Sequence, residues 1–284
     1  MGSGAPRMNF SMLIGILAGC GLIMFGIGIG NLYAFLSLKG AAIVVGGTFA
    51  ALVASFPYNA LKQVPLQVLI AFKGTLMNPG IFINQIVDCA HVARKFGLLK
   101  LEQLAEAQDD DFLRDSLLLI VDAVDAGKAR SMLESDMIYL DERHHGSIAF
   151  FDRGAAFAPA FGMLGTLIGL IIMLANLGLD VENGTQTLTA GMSIALVTTF
   201  YGSILANLFF LPVSSKLKVM NDREMLCKRI ILEGVLSIQA GENPKFIREK
   251  LISFLPRKER EELLQSLVKE ADRNRDVQET EDAH

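Results

Sequence analysis

Residues 154–179 read GAAFAPAFGMLGTLIGLIIMLANLGL, and no charged side chain occurs between Arg153 and Asp180. A helix needs about 20 apolar residues to cross a hydrocarbon core of about 30 Å. Within lipid, a helix satisfies its own backbone polar groups, which an isolated extended segment cannot do. The stretch therefore predicts a transmembrane helix, and it decides the class of fold.

Three further charge-free stretches are long enough to span a membrane. Gly30 and Asn31 interrupt the first of them, and Pro57 ends the second. Hydrophobic residues make up 51% of the chain and the mean hydropathy is +0.41, which exceeds the apolar share of an ordinary soluble domain. Strand signals are weak throughout. The sequence predicts an all-α membrane protein with four transmembrane helices in two hairpins, at residues 8–29, 40–56, 154–179 and 187–212.

The flanking basic residues predict the orientation of these spans. Lys39 is the only basic residue between the first two spans, and none lies between the last two, whereas several follow the second and the fourth. By the positive-inside rule, both termini and the central segment are cytoplasmic. The predicted domains are a transmembrane hairpin at 8–56, a helical cytoplasmic domain at 57–152, a second hairpin at 153–215 and a helical cytoplasmic tail at 216–284.

The central segment and the tail have the pattern of amphipathic helices. Asn78-Pro79-Gly80 predicts a turn before one helix, and the acidic run at 109–111 predicts the start of another, because carboxylates are favoured at the positive end of the helix dipole. We expect Gly127 to end that helix and a further helix to run from Ala129 to Arg143. In the tail we expect a helix at 216–239, a turn at 241–244, a helix at 258–269 and disorder after 272.

The sequence shows no constellation typical of an enzyme. The three cysteines are far apart and form no CxxC pair, so they predict neither a disulfide framework nor a metal site. Asp141, Glu142 and the pair His144-His145 could suggest a metal site, but consecutive residues point to different helix faces, and we favour a solvated helix end. No basic patch with interleaved aromatics is present, so nucleic acid is not expected as a partner. We predict no catalytic activity and no cofactor.

Two prolines lie in the last two predicted spans. Pro159 cannot donate a hydrogen bond to the carbonyl of Ala155, and a kink or loosened turn is expected there. Pro212 likewise leaves the carbonyl of Leu208 free. Close helix packing is predicted at two GxxxG pairs, Gly15/Gly19 and Gly165/Gly169.

The same spans contain the hydroxyl side chains of Thr166, Thr198 and Thr199. These could act as neutral oxygen ligands for a hard cation such as Na⁺, or each could bond its own helix backbone. No Asp, Glu, Lys, Arg or His lies inside any predicted span, whereas ion-coupled proteins normally place an ionisable group in the membrane. If the chain conducts an ion, the titrating carboxylate must come from another chain.

The two hairpins, the central segment and the Pro/Gly/Thr motif of the third span resemble the MotA/PomA family of flagellar stator subunits. The resemblance extends from Met8 to about residue 269. It implies that Pro159 and Pro212 support the conformational change that couples ion passage to torque. It also implies that Arg94 and Glu102 form the charged pair that contacts the rotor protein FliG, although both could simply be charges on a solvated helix.

The resemblance further implies a place and an assembly. Five copies of the chain would surround two copies of a single-span partner, MotB or PomB, which supplies the membrane aspartate. The location would be the bacterial cytoplasmic (inner) membrane. Spans three and four would face the partner, and spans one and two would face lipid.

The transported ion and the rival functions remain open at this point. Thr166 matches the threonine of sodium-driven relatives, and Thr198-Thr199 also resembles the sodium type, so Na⁺ is favoured over H⁺. Ala156 occupies a position where some relatives have an aspartate, for which Asp152 could substitute. The rival functions are an ExbB/TolQ-type ion-driven energiser, which typically has three spans, a stand-alone channel or transporter, and a structural scaffold.

Overall fold

The computed structural model describes residues 11–74, 76–176 and 184–265 of the chain. Throughout these ranges the secondary structure is helical, with no strands, which confirms the all-α prediction. The helices are α1 (Ser11–Ile27), α2 (Leu38–Ser55, with a π-helical turn at Ala42–Gly46), α3 (Tyr58–Lys73), α4 (Pro79–Phe96), α5 (Leu101–Glu106), α6 (Asp111–Val121), α7 (Ala126–Asn176), α8 (Gly184–Ile204), α9 (Leu211–Gln239) and α10 (Pro244–Ile252).

The chain forms two compact units, and the long helices α7 and α9 contribute to both. We call them the span unit, residues 1–75 and 142–221, and the polar unit, residues 76–141 and 222–284. The core of the span unit is rich in aromatic side chains and includes Leu52, Phe151, Phe210 and Val213. The core of the polar unit is aliphatic and includes Ile83, Ile86, Leu117, Ile230 and Leu251.

The described helices supply three candidate membrane spans, or four if one bent pair counts as a single span. The bent pair is α1 and the 3₁₀-helix Ile29–Phe35, whose axes differ by 98°. Gly28 lies at the bend with φ +77°, a conformation that glycine adopts without steric cost. The predicted first span at 8–29 is therefore α-helical only to Ile27, Ile29 already belongs to the 3₁₀-helix, and residues 8–10 lie outside the described ranges. Two of the helices that qualify on their own are α2 (Leu38–Ser55) and the part Ala126–Ala175 of α7. The third is the continuous helical stretch Leu188–Gln239, which consists of α8 from Leu188 onward, a π-helical turn and α9.

The two prolines have different local structures. Helix α7 continues through Pro159 without interruption from Ala126 to Asn176. By contrast, α8 passes into a π-helical turn, Leu205–Phe210, immediately before the helix that contains Pro212. Leu208 lies within that turn, so the loosened turn expected from Pro212 is present.

Side-chain caps fix the predicted helix starts in the polar unit. The Asn78 side chain accepts a hydrogen bond from the Gly80 backbone N–H at 3.0 Å, and the Asp110 side chain accepts one from the Leu113 N–H at 2.9 Å. The turn predicted at 241–244 is present, with Gly241 at φ +72°. Residues 257–265 are helical, while the remainder of the predicted helix at 258–269 and the acidic end after 272 lie outside the described residues.

The prediction that Gly127 ends a helix is wrong. Helix α6 ends at Val121, and Gly127 instead lies in the first turn of α7. The cause is Asp125, whose carboxylate accepts hydrogen bonds from the N–H groups of Gly127 and Lys128 at 3.1 and 3.2 Å and so caps α7. The helix expected at 129–143 is accordingly the first part of α7.

Candidate functional site

Helices α7 and α8 cross at a contact between small residues. A Cβ atom added at Gly169 would lie 2.6 Å from the backbone oxygen of Gly191, and one at Gly202 would lie 2.6 Å from that of Ala158. The two backbones are therefore in direct contact, as in other membrane helix pairs built on small residues. The close packing predicted at Gly165 and Gly169 is confirmed, and the chain offers four further small residues at this crossing, Ala158, Gly162, Gly191 and Gly202.

The other predicted glycine pair behaves differently. A Cβ at Gly19 would approach the Leu208 side chain at 3.1 Å, whereas nothing lies within 4 Å of one at Gly15. Within the described part of the chain, Gly15 therefore makes no close helix contact.

Thr198 lies inside the crossing and is fully buried. Its side chain fills the space that a Cβ at Gly165 would occupy, at 2.4 Å. The Thr198 hydroxyl donates to its own helix, within 2.9 Å of the carbonyl oxygens of Ile194 and Ala195. This residue thus packs the two helices together and satisfies its hydroxyl locally.

Thr166 and Thr199 each follow a contact residue, Gly165 and Thr198 respectively. The helices α7 and α8 run antiparallel. The residue that follows a contact residue on α7 therefore points to the same side of the helix pair as the residue that follows a contact residue on α8. Thr199 is exposed and Thr166 is half-buried. The Thr166 hydroxyl donates to the Met163 carbonyl at 2.6 Å and that of Thr199 to the Ala195 carbonyl at 3.3 Å. The oxygen lone pairs remain available as acceptors.

The same side of the helix pair carries Pro159 and Ser203, because they directly follow the contact residues Ala158 and Gly202. Both are exposed. We call the surface of Pro159, Thr166, Thr199 and Ser203 the polar face; it carries three hydroxyls and no charge. The sequence does not single out Ser203, although its spacing of four residues from Thr199 within an apolar span is a usable signal.

Asp152 is engaged in contacts between α7 and α9. Its carboxylate accepts hydrogen bonds from the Ser214 hydroxyl at 2.6 Å and from the Lys218 ammonium, whose nearest N–O distance is 2.8 Å. Asp152, which could substitute for the aspartate that some relatives have at the position of Ala156, is thus part of an ion pair.

Tyr201 joins α8 to the segment that precedes α2. Its hydroxyl donates to the Phe35 carbonyl and accepts a hydrogen bond from the Ser37 N–H at 3.1 Å. The Phe35 ring also packs against Phe200, with 5.0 Å between ring centroids. Tyr201 therefore holds the bent segment after α1 against the fourth predicted span.

Replacing Tyr201 with phenylalanine is expected to destabilise the protein by about 1–3 kcal/mol, because the Phe35 carbonyl and the Ser37 N–H both lose their partner. The measurement is thermal unfolding of the purified protein in detergent. Tyr33 provides the matched control, since it lies in the same segment and is largely exposed. Equal melting temperatures for Tyr201→Phe and Tyr33→Phe would contradict this role.

Arg94 and Glu102 lie in the polar unit, and both are exposed. Arg94 is in the last turn of α4 and Glu102 in the first turn of α5. Among the described residues, neither makes a side-chain hydrogen bond or an ion pair. Both charges are therefore free to engage another molecule.

The described residues contain no cluster suited to metal binding. No cluster of three or more His, Cys, Asp or Glu side chains occurs there. His144 instead lies against Asn221, with 2.7 Å between Nδ1 and Oδ1. Burial, with a smaller contribution from Asp88, raises the pKa of the Cys89 thiol to about 11, so this cysteine is not a thiolate nucleophile at neutral pH.

Comparison with known proteins identifies the family. The profile of the MotA/TolQ/ExbB proton channel family matches residues 104–230. Motility protein A of Borreliella burgdorferi is 38% identical over 92% of this chain and 99% of its own, and chemotaxis protein PomA of Vibrio alginolyticus is 33% identical over 87% and 96%. The flagellar MotAB stator complex from Bacillus subtilis matches with a TM-score of 0.76 at 29% identity, covering 90% of this chain and 99% of that one.

The chain therefore belongs to the MotA/TolQ/ExbB family, in its motility protein A group of flagellar stator subunits. The relatives named for motility match it over nearly their whole length, which favours the stator over the ExbB/TolQ-type energiser. Members of the family are ion-channel subunits and not enzymes, in agreement with the prediction of no catalytic activity.

Proposed function

We propose that this stator subunit forms an ion path with a single-span partner of the MotB/PomB type, whose membrane aspartate titrates. The observation that carries the proposal is the polar face, which offers hydroxyl oxygens but no ionisable group. A neutral wall cannot by itself bind and release a proton, so the chain needs a carboxylate from outside. The solved MotAB complexes, to which this chain is similar, support such a partner.

The surroundings of the three threonines support different roles. Thr166 and Thr199 contribute oxygens to the ion path, whereas Thr198 keeps α7 and α8 in register. Pro159 borders the ion path. Pro212 follows the π-helical turn at which the fourth span departs from α-helical geometry. The transported ion is Na⁺, with H⁺ as the alternative, and no other cofactor takes part.

In the proposed topology the chain crosses the bacterial inner membrane four times, with both termini in the cytoplasm. The distribution of lysine and arginine supports this orientation. Five copies surround the partner dimer. Many large apolar side chains of the candidate spans are exposed in the single chain, including Phe25, Ile29, Val53 and Ile171, which suits contacts with lipid and with neighbouring copies.

The rotor contact lies in the polar unit. Arg94 and Glu102 engage complementary charges of the rotor protein FliG, which is supported by their exposure and by their lack of partners among the described residues. Exposed charge pairs are screened by salt, so this part of the contact weakens as ionic strength rises.

Thr166→Ala is expected to reduce swimming speed and to weaken its dependence on external Na⁺, because one oxygen ligand is lost from the ion path. Thr166→Ser keeps the hydroxyl and should retain the Na⁺ dependence. The measurement is swimming speed against Na⁺ concentration in a strain that carries only the variant. A wild-type speed that ignores Na⁺ but collapses with a protonophore would favour H⁺ instead.

Co-purification tests the proposed function directly. The chain, extracted in mild detergent, should carry with it a single-span protein that bears a membrane aspartate. Ion flux into proteoliposomes should require both chains. Flux through the single chain alone would indicate a stand-alone channel, and failure to recover any partner would count against the stator complex.

A further inference from the structure

The turn that joins α4 to α5 displays two large apolar side chains to solvent. Phe96 is 61% exposed and Leu99 is 76% exposed, the highest value for a large apolar residue of the polar unit within the described ranges. Such side chains on the surface of a folded unit are typical of interaction sites when they occur together. We call residues 94–100 the tip.

The tip is held firmly by the chain beneath it. Gly97 has φ +83°, which reverses the chain, and its N–H donates to the Ala93 carbonyl at 2.9 Å. Leu98 packs against the core of the polar unit and Leu101 is fully buried. Phe96 and Leu99 are thus presented by a fixed turn and not by a frayed end.

The charge of the tip indicates the chemistry of its partner. Residues 94–100 include Arg94, Lys95 and Lys100 but no acidic residue. The Lys95 ammonium lies 5.1 Å from the centroid of the Phe96 ring, and Lys100 donates to Gln103. Two exposed apolar side chains with three cations in the same seven residues are complementary to a surface that combines apolar residues with carboxylates.

We propose that Phe96 and Leu99 are apolar anchors that insert into an acidic, apolar-lined groove of the rotor, and that the surrounding cations orient them. This inference rests on the proposed function, since it specifies how the rotor contact is made. Charges at the rim of an interface chiefly set the rate and register of association, whereas buried aromatic and aliphatic anchors set how long it lasts. Loss of either anchor should weaken binding by about tenfold or more.

The test uses the full chain in a strain that lacks its own copy. Phe96→Ser and Leu99→Ser, alone and together, should leave the membrane level of the chain and its co-purification with the single-span partner unchanged, because both side chains are exposed. Swimming should fall in the single variants and be lost in the double variant. Phe96→Leu retains an apolar anchor and should swim.

Ile81→Ser is the matched control. Ile81 is also an exposed apolar residue of α4, but it lies at the other end of the helix, about 22 Å away. This variant should swim normally. A photo-crosslinking residue at position 99 should capture a rotor protein, and one at position 81 should not.

The outcomes separate the inference from the function on which it rests. If the wild-type chain and Ile81→Ser restore swimming and the Phe96→Ser/Leu99→Ser double variant does so too, the anchors are refuted and the stator function stands. Crosslinking of position 99 to a second copy of this chain would also overturn the inference, because the tip would then be a subunit contact. If the wild-type chain itself fails to restore swimming, the proposed function fails and the inference falls with it.

Discussion

Replacing Gly202 with alanine is expected to destabilise the protein by about 1–3 kcal/mol, the usual cost of overpacking. The added Cβ would lie 2.6 Å from the backbone oxygen of Ala158 and 3.2 Å from the Cα of Gly162. Because these are backbone atoms, no side-chain rotation can relieve the contact, and α7 and α8 must move apart. The separation shifts Thr166 against Thr199, so motility should be lost even where folded protein remains. Thermal unfolding in detergent and swimming speed are the measurements.

Gly146 is the matched control on α7. It is exposed, and no atom of the described residues lies within 4 Å of a Cβ atom added there. Alanine is favoured over glycine within a helix by about 0.8–1 kcal/mol, so Gly146→Ala should slightly raise the melting temperature. Both substitutions replace glycine with alanine, and their effects on the melting temperature are expected to have opposite signs. A rise in both melting temperatures would show that α7 and α8 leave room for a methyl group at Gly202.

Replacing Asp110 with alanine is expected to destabilise the polar unit by about 3–5 kcal/mol, because it leaves a buried ammonium without its partner. Lys228 is only 6% exposed, and its Nζ lies 3.0 and 3.1 Å from the two carboxylate oxygens of Asp110. The same carboxylate caps α6 through the Leu113 N–H. Circular dichroism should show a melting temperature lower by about 10 °C.

Two variants check this explanation. Asp111→Ala removes the neighbouring carboxylate, whose ion pair with Arg114 is exposed, and should cost no more than about 1 kcal/mol. In the double variant Asp110→Asn with Lys228→Met, asparagine keeps the helix cap and methionine removes the buried charge, so most of the lost stability should return. If the double variant is as unstable as Asp110→Ala, the cost does not come from an unpaired lysine.

Much of the fold could be predicted from where charges are absent. Runs without charge located the apolar part of each candidate span, and α2 at Leu38–Ser55 lies within two residues of the predicted 40–56. Helix starts were predictable at Asn78 and Asp110, because the capping side chain is itself the signal. In such places one local interaction decides the structure.

The length of α7 could not be predicted in the same way. Polarity changes sharply near Arg153, which suggested a boundary between a cytoplasmic helix and a span, yet no residue there breaks a helix. Gly154 lies inside the helix, and the Phe210 ring packs against it so closely that a Cβ there would lie within 2.5 Å of two ring carbons. Composition predicts whether a segment contacts lipid or water, but it does not predict whether a helix ends where the surroundings change.

The candidate site was predicted in its residue types but not in its geometry. Adjacent threonines Thr198 and Thr199 have the same chemistry, and only the crossing with α7 separates the packing residue from the exposed one. Sequence spacing could identify a polar face but not the side that α7 covers. Likewise, the exposure of Leu99 follows from the reversal at Gly97, whereas Leu98 beside it packs inward.

The π-helical turn Leu205–Phe210 lies between two attachments of the fourth predicted span. On the α8 side of the turn, the backbone at Gly202 is in contact with α7. On the α9 side, Ser214 and Lys218 contact Asp152 of α7. Between these two attachments, the π turn lacks the regular hydrogen-bond spacing of an α-helix, and its Ala206 and Phe210 side chains are buried in the core of the span unit. We expect a relative movement of α8 and α9 to be taken up at this turn as a change of helical register. The residues on each side of the turn could then keep their own contacts.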